Sequence, residues 1–109
     1  MTTTRDIITR SFGKVGIGAA GETLTAREIT DGLNALNMML SAWELAGVDT
    51  THTALAVDDT FPLDAKFEEG TVYCLASRLA PDYEVPQAFD ADDFFRKIQA
   101  AYLIIPVVA

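Results

Sequence analysis

Apolar side chains near the start of the chain fall at Ile7, Ile8, Phe12 and Val15, a spacing of three to four residues that predicts an amphipathic helix. Thr4 is the expected N-cap, and Gly16 and Gly18 are the expected stop. A longer stripe follows at Ile29, Leu33, Leu36, Leu40 and Trp43. It opens on Thr25-Ala-Arg-Glu28, which reads as a capping box, and closes at Gly47, so it predicts a second, long helix with one buried face.

The pattern then changes. Residues 48–63 carry several threonines, an Asp58-Asp59 turn candidate and alternating Leu55 and Val57, which suits a loop or a short hairpin. Val72, Leu75, Ala76 and Leu79 restore helical spacing from about Ala65 to Ala80, where Pro81 disfavours continuation. A fourth helix is expected to begin near Pro86, with Asp90, Asp92 and Asp93 in its N-terminal half and Arg96 and Lys97 nearer its C-terminal end at about Tyr102. The final LIIPVVA is β-branched, apolar and interrupted by Pro106, which favours an extended conformation. The expected fold is therefore all-α: a four-helix bundle-like domain over residues 1–102 with a short hairpin or irregular segment between helices 2 and 3. An extended C-terminal arm over residues 103–109 completes it.

Composition adds a constraint on partners. Half of the 109 residues are hydrophobic and 22% are charged, enough apolar material for one core and, in so small a domain, for some surface that meets another subunit. Sixteen acidic against eight basic residues give a net charge of -8, which disfavours wrapping around nucleic acid. The charge is uneven: residues 1–27 hold four basic and two acidic residues, and the remainder carries -10. A basic end meeting an acidic body would use that asymmetry, and solvated helix faces account for it equally well. One cysteine, Cys74, excludes an internal disulfide and suits a reducing compartment. The opening residues lack the apolar region of a signal peptide, and the run from Ala100 onward is too short to span a bilayer, so synthesis in the cytoplasm as a soluble chain is expected.

Candidate chemistry is sparse. Gly16-Ile-Gly18-Ala-Ala-Gly21 matches a dinucleotide-binding fingerprint, but it follows a helix in a chain without a parallel-sheet pattern, so the glycines read as helix stop and loop. His52 is the single histidine and lies in a threonine-rich loop, too few ligands for zinc. Cys74 sits among apolar neighbours with no activating base, and the pairs Asp58-Asp59, Glu68-Glu69 and Asp92-Asp93 read as solvated or helix-start charge. Trp43 completes an apolar stripe and reads as core. Neither a catalytic residue nor a cofactor or metal is expected.

Three stretches carry a resemblance. Asp31-Gly-Leu-Asn-Ala-Leu-Asn-Met-Met-Leu-Ser-Ala-Trp43-Glu-Leu-Ala-Gly47, with paired methionines and a tryptophan shortly before its glycine, resembles the second helix of phage head-tail connector proteins. Cys74-Leu-Ala-Ser-Arg78-Leu-Ala-Pro81-Asp82-Tyr83 is similar to the end of the third helix in the tail accessory, or packaged-DNA-stabilising, proteins of short-tailed phages and related head completion adaptors. Arg5 to Ile17 resembles the same family's first helix and turn.

The resemblance implies a virion structural protein of the neck, made in the host cytoplasm. Copies would form a ring, typically dodecameric, that binds the portal protein, extends the DNA channel and offers a platform to the downstream tail or nozzle protein. DNA would pass through the lumen without specific binding, helped by acidic repulsion. On this reading Trp43, Arg78, Pro81, Asp82 and Tyr83 are structural. Arg78, one turn before Pro81, is expected to bond helix-end carbonyls or a carboxylate. Leu103, Ile104, Ile105, Pro106, Val107, Val108 and Ala109 are the expected interface with the portal or a neighbouring subunit. The alternative is a small helical interaction module, antitoxin-like or regulatory, that binds one partner through the same tail; a small hydrolase using the carboxylates is a third reading.

Overall fold

The computed structural model describes residues 2–16, 23–48, 54–63, 65–84 and 91–103. Among them four helices form an all-α domain: α1 (Thr4–Lys14), α2 (Ala26–Leu45), α3 (Glu68–Leu79) and α4 (Ala91–Leu103), with 3-10 turns at Ala65–Phe67 and Pro81–Tyr83. Helix α3 is central, packing against α1, α2 and α4.

Both leading helices begin with capping boxes. At α2 the expected one forms, the Glu28 N–H donating to Thr25 Oγ1 (3.1 Å) and the Thr25 N–H to Glu28 Oε1 (2.8 Å). At α1 the cap is Thr3 and not Thr4, because Asp6 lies three residues after Thr3 and returns the bond: Asp6 N–H to Thr3 Oγ1 (3.2 Å), Thr3 N–H to Asp6 Oδ2 (3.0 Å). Hydrogen bonds from Thr3 hold the Asp6 carboxyl below its usual value. At the far end of α2, Gly47 takes a left-handed φ of 89° and the Val48 N–H reaches back to the Trp43 carbonyl (3.0 Å), closing the helix as its glycine predicts. Gly16 likewise turns the chain after α1, at φ 80°; Gly18 and Gly21 lie outside the described residues.

The segment before α3 does not pair with itself as a hairpin in its described part. Its carbonyls instead serve the start of α1. The Thr4 N–H donates to the Asp59 carbonyl (2.8 Å), the Arg5 N–H to that of Val57 (2.9 Å), and the Phe61 N–H to that of Thr2 (2.9 Å). Thr4, displaced from the cap, is fully buried and its hydroxyl also donates to Asp59 (3.0 Å). Asn37 of α2 holds the same segment from the other side, donating to the Leu55 carbonyl (3.1 Å) and accepting from its N–H (2.8 Å). A turn closes between Ala56 and Asp59, near the expected Asp58-Asp59. Residues 54–63 are thus a strap laid over the bundle.

The core joins Ile7, Ile8 and Phe12 of α1, Leu36, Met39, Leu40 and Trp43 of α2, and Val72, Leu75, Ala76 and Leu79 of α3. The buried stripe of α2 is shifted from the expected one: Met39 is fully buried, whereas Ile29 and Leu33 are only partly covered. The cause is Gly32, through which α1 approaches α2 so closely that a Cβ there would lie 2.5 Å from Ile8 Cγ2 and 3.1 Å from Phe12 Cε2. Buried Ser11 and Thr71 turn their hydroxyls back onto the carbonyls of Ile7 and Phe67, each at 2.7 Å, so neither polar group is stranded. Helix α4 includes Leu103, one residue past the expected boundary, so the apolar arm could begin only at Ile104. Ile104 to Ala109, like Pro86 and Asp90 of the expected fourth-helix start, lie outside the described residues.

Gly32 makes a sharp test, because Ile8 is β-branched and fully buried and has no free torsion to move the crowding methyl aside. Gly32→Ala would gain helix propensity of about 1 kcal/mol if it were unhindered. Overpacking costs of about 1–3 kcal/mol are expected to outweigh that gain, lowering the melting temperature by several degrees in calorimetry.

Candidate interaction surfaces

The Pro81–Tyr83 turn shows what the third-helix motif does. Pro81 occupies its first position, where no N–H is needed, and the turn swings Tyr83 back across the bundle. The Tyr83 ring meets Phe12 of α1 edge-on, with centroids 5.3 Å apart, and its hydroxyl donates to Asp31 Oδ2 of α2 at 2.8 Å. One side chain therefore ties the end of α3 to two other helices. Burial, then the hydrogen bond and charge of Asp31, push the phenol up to about 12. Trp43 is buried as expected and tilts against Phe95 of α4, with centroids 5.4 Å apart. Asp82 is exposed beside an open surface cavity that Arg27, Asp31, Met38 and Tyr83 also line. Arg78 is exposed, and among the described residues it bonds neither a helix-end carbonyl nor a carboxylate. The motif is thus split between Trp43, Pro81 and Tyr83, which organise packing, and Arg78 and Asp82, which face outward.

The reactive side chains are engaged structurally. Burial drives the Cys74 thiol up to about 12, and its Sγ lies 3.5 Å from the Ala91 carbonyl. Glu68 accepts from Thr2 Oγ1 (2.9 Å) and from Arg10 (3.2 Å), fixing the start of α3 to α1. Asp59 caps the strap turn, Asp58 lies 3.6 Å from Arg5 across solvent, and Asp93 pairs with Lys97 at 3.1 Å. No group of three metal-binding side chains occurs among the described residues; His52 lies outside them. Among the described residues no helix is long and apolar enough to cross a membrane.

What distinguishes the surface is apolar. Met38 is 70% exposed and Leu45 93%, and with Ser41 and Ala42 they lie at helical spacing along the face of α2 opposite its core stripe. Asn37 and Ala54 complete the walls of a shallow groove there. The signal was present in the sequence, since Met38 and Leu45 fall out of phase with Leu36, Leu40 and Trp43, yet a single-stripe reading passes over them.

A second surface lies between α3 and α4. Phe67, Gly70, Phe94 and Ile98 form an apolar cavity of about 200 Å³ with Lys66 and Lys97 at its mouth. Their ammonium groups hang 5.1 and 5.7 Å from the ring centroids of Phe67 and Phe94. Phe94 stacks on Tyr73 (4.4 Å), over which Lys14 lies at 4.9 Å. Spacing along the chain gives no hint of this cluster, whose parts come from residues 14 to 98.

Tyr83→Phe should cost about 1 kcal/mol, the usual scale of one hydrogen bond, and more than Arg78→Ala, which removes no bond among the described residues. The alkaline limb offers a second check. Above the ordinary values of 9.0 for the thiol and 10.0 for the phenol, the unfolded chain releases protons that Cys74 and Tyr83 retain in the fold until about 12. The stability that these two groups contribute is therefore complete below pH 9 and falls as pH rises through this window, and Tyr83→Phe should make the fall above pH 10 shallower in urea titrations.

The sequence matches no protein-family model and none of the curated proteins compared with it.

Proposed function

We propose that this chain is a virion structural protein, a head-to-tail adaptor whose copies form a ring on the portal, extend the DNA channel and support the next tail component. The observation that carries this reading is the exposed apolar face of α2, because Met38 and Leu45 stand in water on a helix whose other face is fully used by the core. Solvated apolar side chains occur singly on many proteins, but two of them lining one apolar groove suit a surface that another protein covers. The reading also draws on the resemblance of Asp31–Gly47 and Cys74–Tyr83 to connector proteins, and on the net charge of -8, which suits a channel wall that repels phosphate. The apolar segment Ile104 to Ala109 supplies a further contact with portal or neighbour, each buried aliphatic side chain contributing about 1.5–3 kcal/mol before the cost of ordering the segment.

Portal rings from the same genome provide the test. Mixed with portal, the chain should co-sediment as a ring, while the isolated chain at micromolar concentration should sediment as a small species. A chain cut after Leu103 should keep its helical circular dichroism and lose portal binding. Failure of the full chain to bind portal, together with one-to-one capture of a single soluble partner, would replace the adaptor with the interaction-module reading. A complete ring formed without portal would overturn the order of assembly.

A further inference from the structure

We infer that the uncharged groove along α2 is the seat for the segment Ile104–Ala109 of a second copy of this chain. The inference rests on the adaptor reading only in requiring that copies meet one another. Charge sets this groove apart. Other cavities on the surface carry charged side chains in their walls: Lys66 and Lys97 in one, Arg78 and Asp92 in another, Arg27, Asp31 and Asp82 in a third. The described residues that line the α2 groove are Asn37, Met38, Ser41, Ala42, Leu45 and Ala54, none of them charged. The small side chains of Ser41 and Ala42 leave room between the protruding Met38 and Leu45.

The segment matches the groove in kind. Residues 98–109 hold no charged side chain, and Ile104, Ile105, Val107 and Val108 are β-branched and apolar. It matches in length too: from Met38 to Leu45 the helix rises about 10 Å, and Ile104–Ala109 in extended conformation spans about 20 Å, enough to cross the groove with residues left as a bridge. Alternate side chains of an extended segment share a face, so neighbouring apolar groups can enter together. Copies that each carry a net charge of -8 repel one another, and a contact between uncharged groups adds nothing to that repulsion.

Chain direction decides between the segment's own groove and that of another copy. Contacts along α2 and α4 advance together: Trp43 meets Phe95, and one turn on the Ala46 carbonyl accepts from Gln99 Nε2 at 2.8 Å. The two helices therefore run the same way. Leu103 lies one further turn along α4, about 6 Å past the level of Gln99, so the chain leaves α4 beyond the end of α2 and heading away from Met38. To enter its own groove the segment would have to reverse and spend residues on the turn, whereas the groove of a copy placed ahead needs no reversal. Segment and groove lie at different places on each copy. The contact is therefore heterologous and leaves one of each open for the next copy, as ring growth requires.

Sedimentation velocity of the full chain at hundreds of micromolar tests this. Wild type should grow beyond a dimer. Two variants, Ile105→Asp with Val108→Asp and Met38→Asp with Leu45→Asp, should keep the wild-type helical circular dichroism and each associate about tenfold or more weakly than wild type. Mixed together they should form a dimer and stop, because one keeps only its groove and the other only its segment. A cross-link locates the contact. Ala42→Cys on one chain and Val107→Cys on another should form an interchain disulfide under mild oxidation, in which the buried Cys74 does not compete. With both cysteines in one chain, the bridges should link chains into oligomers. A bridge closed within single chains places the segment on its own groove and overturns the exchange, and so do variants that associate as wild type does; the adaptor reading stands in both cases. A wild type that stays monomeric, or that stops at a symmetric dimer, also overturns this contact, and portal binding then judges the adaptor reading by itself.

Discussion

The first amides of α1 have no carbonyl partner within their own helix, and much of the architecture follows from where they find one. Every helix faces this deficit at its N-terminus, and side-chain caps relieve only part of it. Here Thr3 satisfies Asp6, while the amides of Thr4 and Arg5 turn to the carbonyls of Asp59 and Val57, more than fifty residues away. That demand converts a threonine-containing, non-helical stretch into a strap with a fixed register. The strap in turn needs Asn37, whose amide pairs with both polar groups of Leu55 as a neighbouring strand would. Helices α1 and α2 are thereby locked at one end by hydrogen bonds and at their crossing by the absence of a side chain at Gly32.

Much of this was legible in the residues, for identifiable reasons. Helix number, the Thr25–Glu28 box and the Gly47 stop are local chemistry, and local chemistry is written in neighbouring positions. The strap was not legible, because its partners are backbone groups of α1, and backbone groups carry no sequence signature. The shift from Ile29 and Leu33 to Met39 had a cue in Gly32, since glycine inside a strong helix costs stability unless something must come close. The cap at Thr3 rather than Thr4 turned on recognising Asp6 as the reciprocal partner, a role more often filled by glutamate or glutamine.

The candidate surfaces divide in the same way. Tyr83 could be singled out as structural by resemblance, but not its simultaneous reach to Phe12 and Asp31, which depends on a 3-10 turn reversing the chain after α3. Met38 and Leu45 were visible as an out-of-phase pair on α2, whereas the lysine-rimmed cavity assembles only when α4 folds onto α3. Both are built mainly on helices, α2 for one and α3 with α4 for the other, so their geometry is held largely by the same packing that holds the core. A surface built this way presents a rigid shape, and the entropy lost on covering it is largely that of a few side-chain rotors.

The strap also bears on how the chain acquires its structure during synthesis. Asp59 and Phe61 must leave the ribosome before the first turn of α1 can be completed, although α1 itself emerges first. Until then the opening turn is held by Thr3 alone, and an isolated helix of eleven residues is marginal in water. Closure of this long loop is slow relative to helix formation, as non-local pairing generally is. The nascent chain therefore passes through a stage in which α2, nearly twice as long and boxed at its start, is the better-formed element, and the N-terminus joins the bundle afterwards.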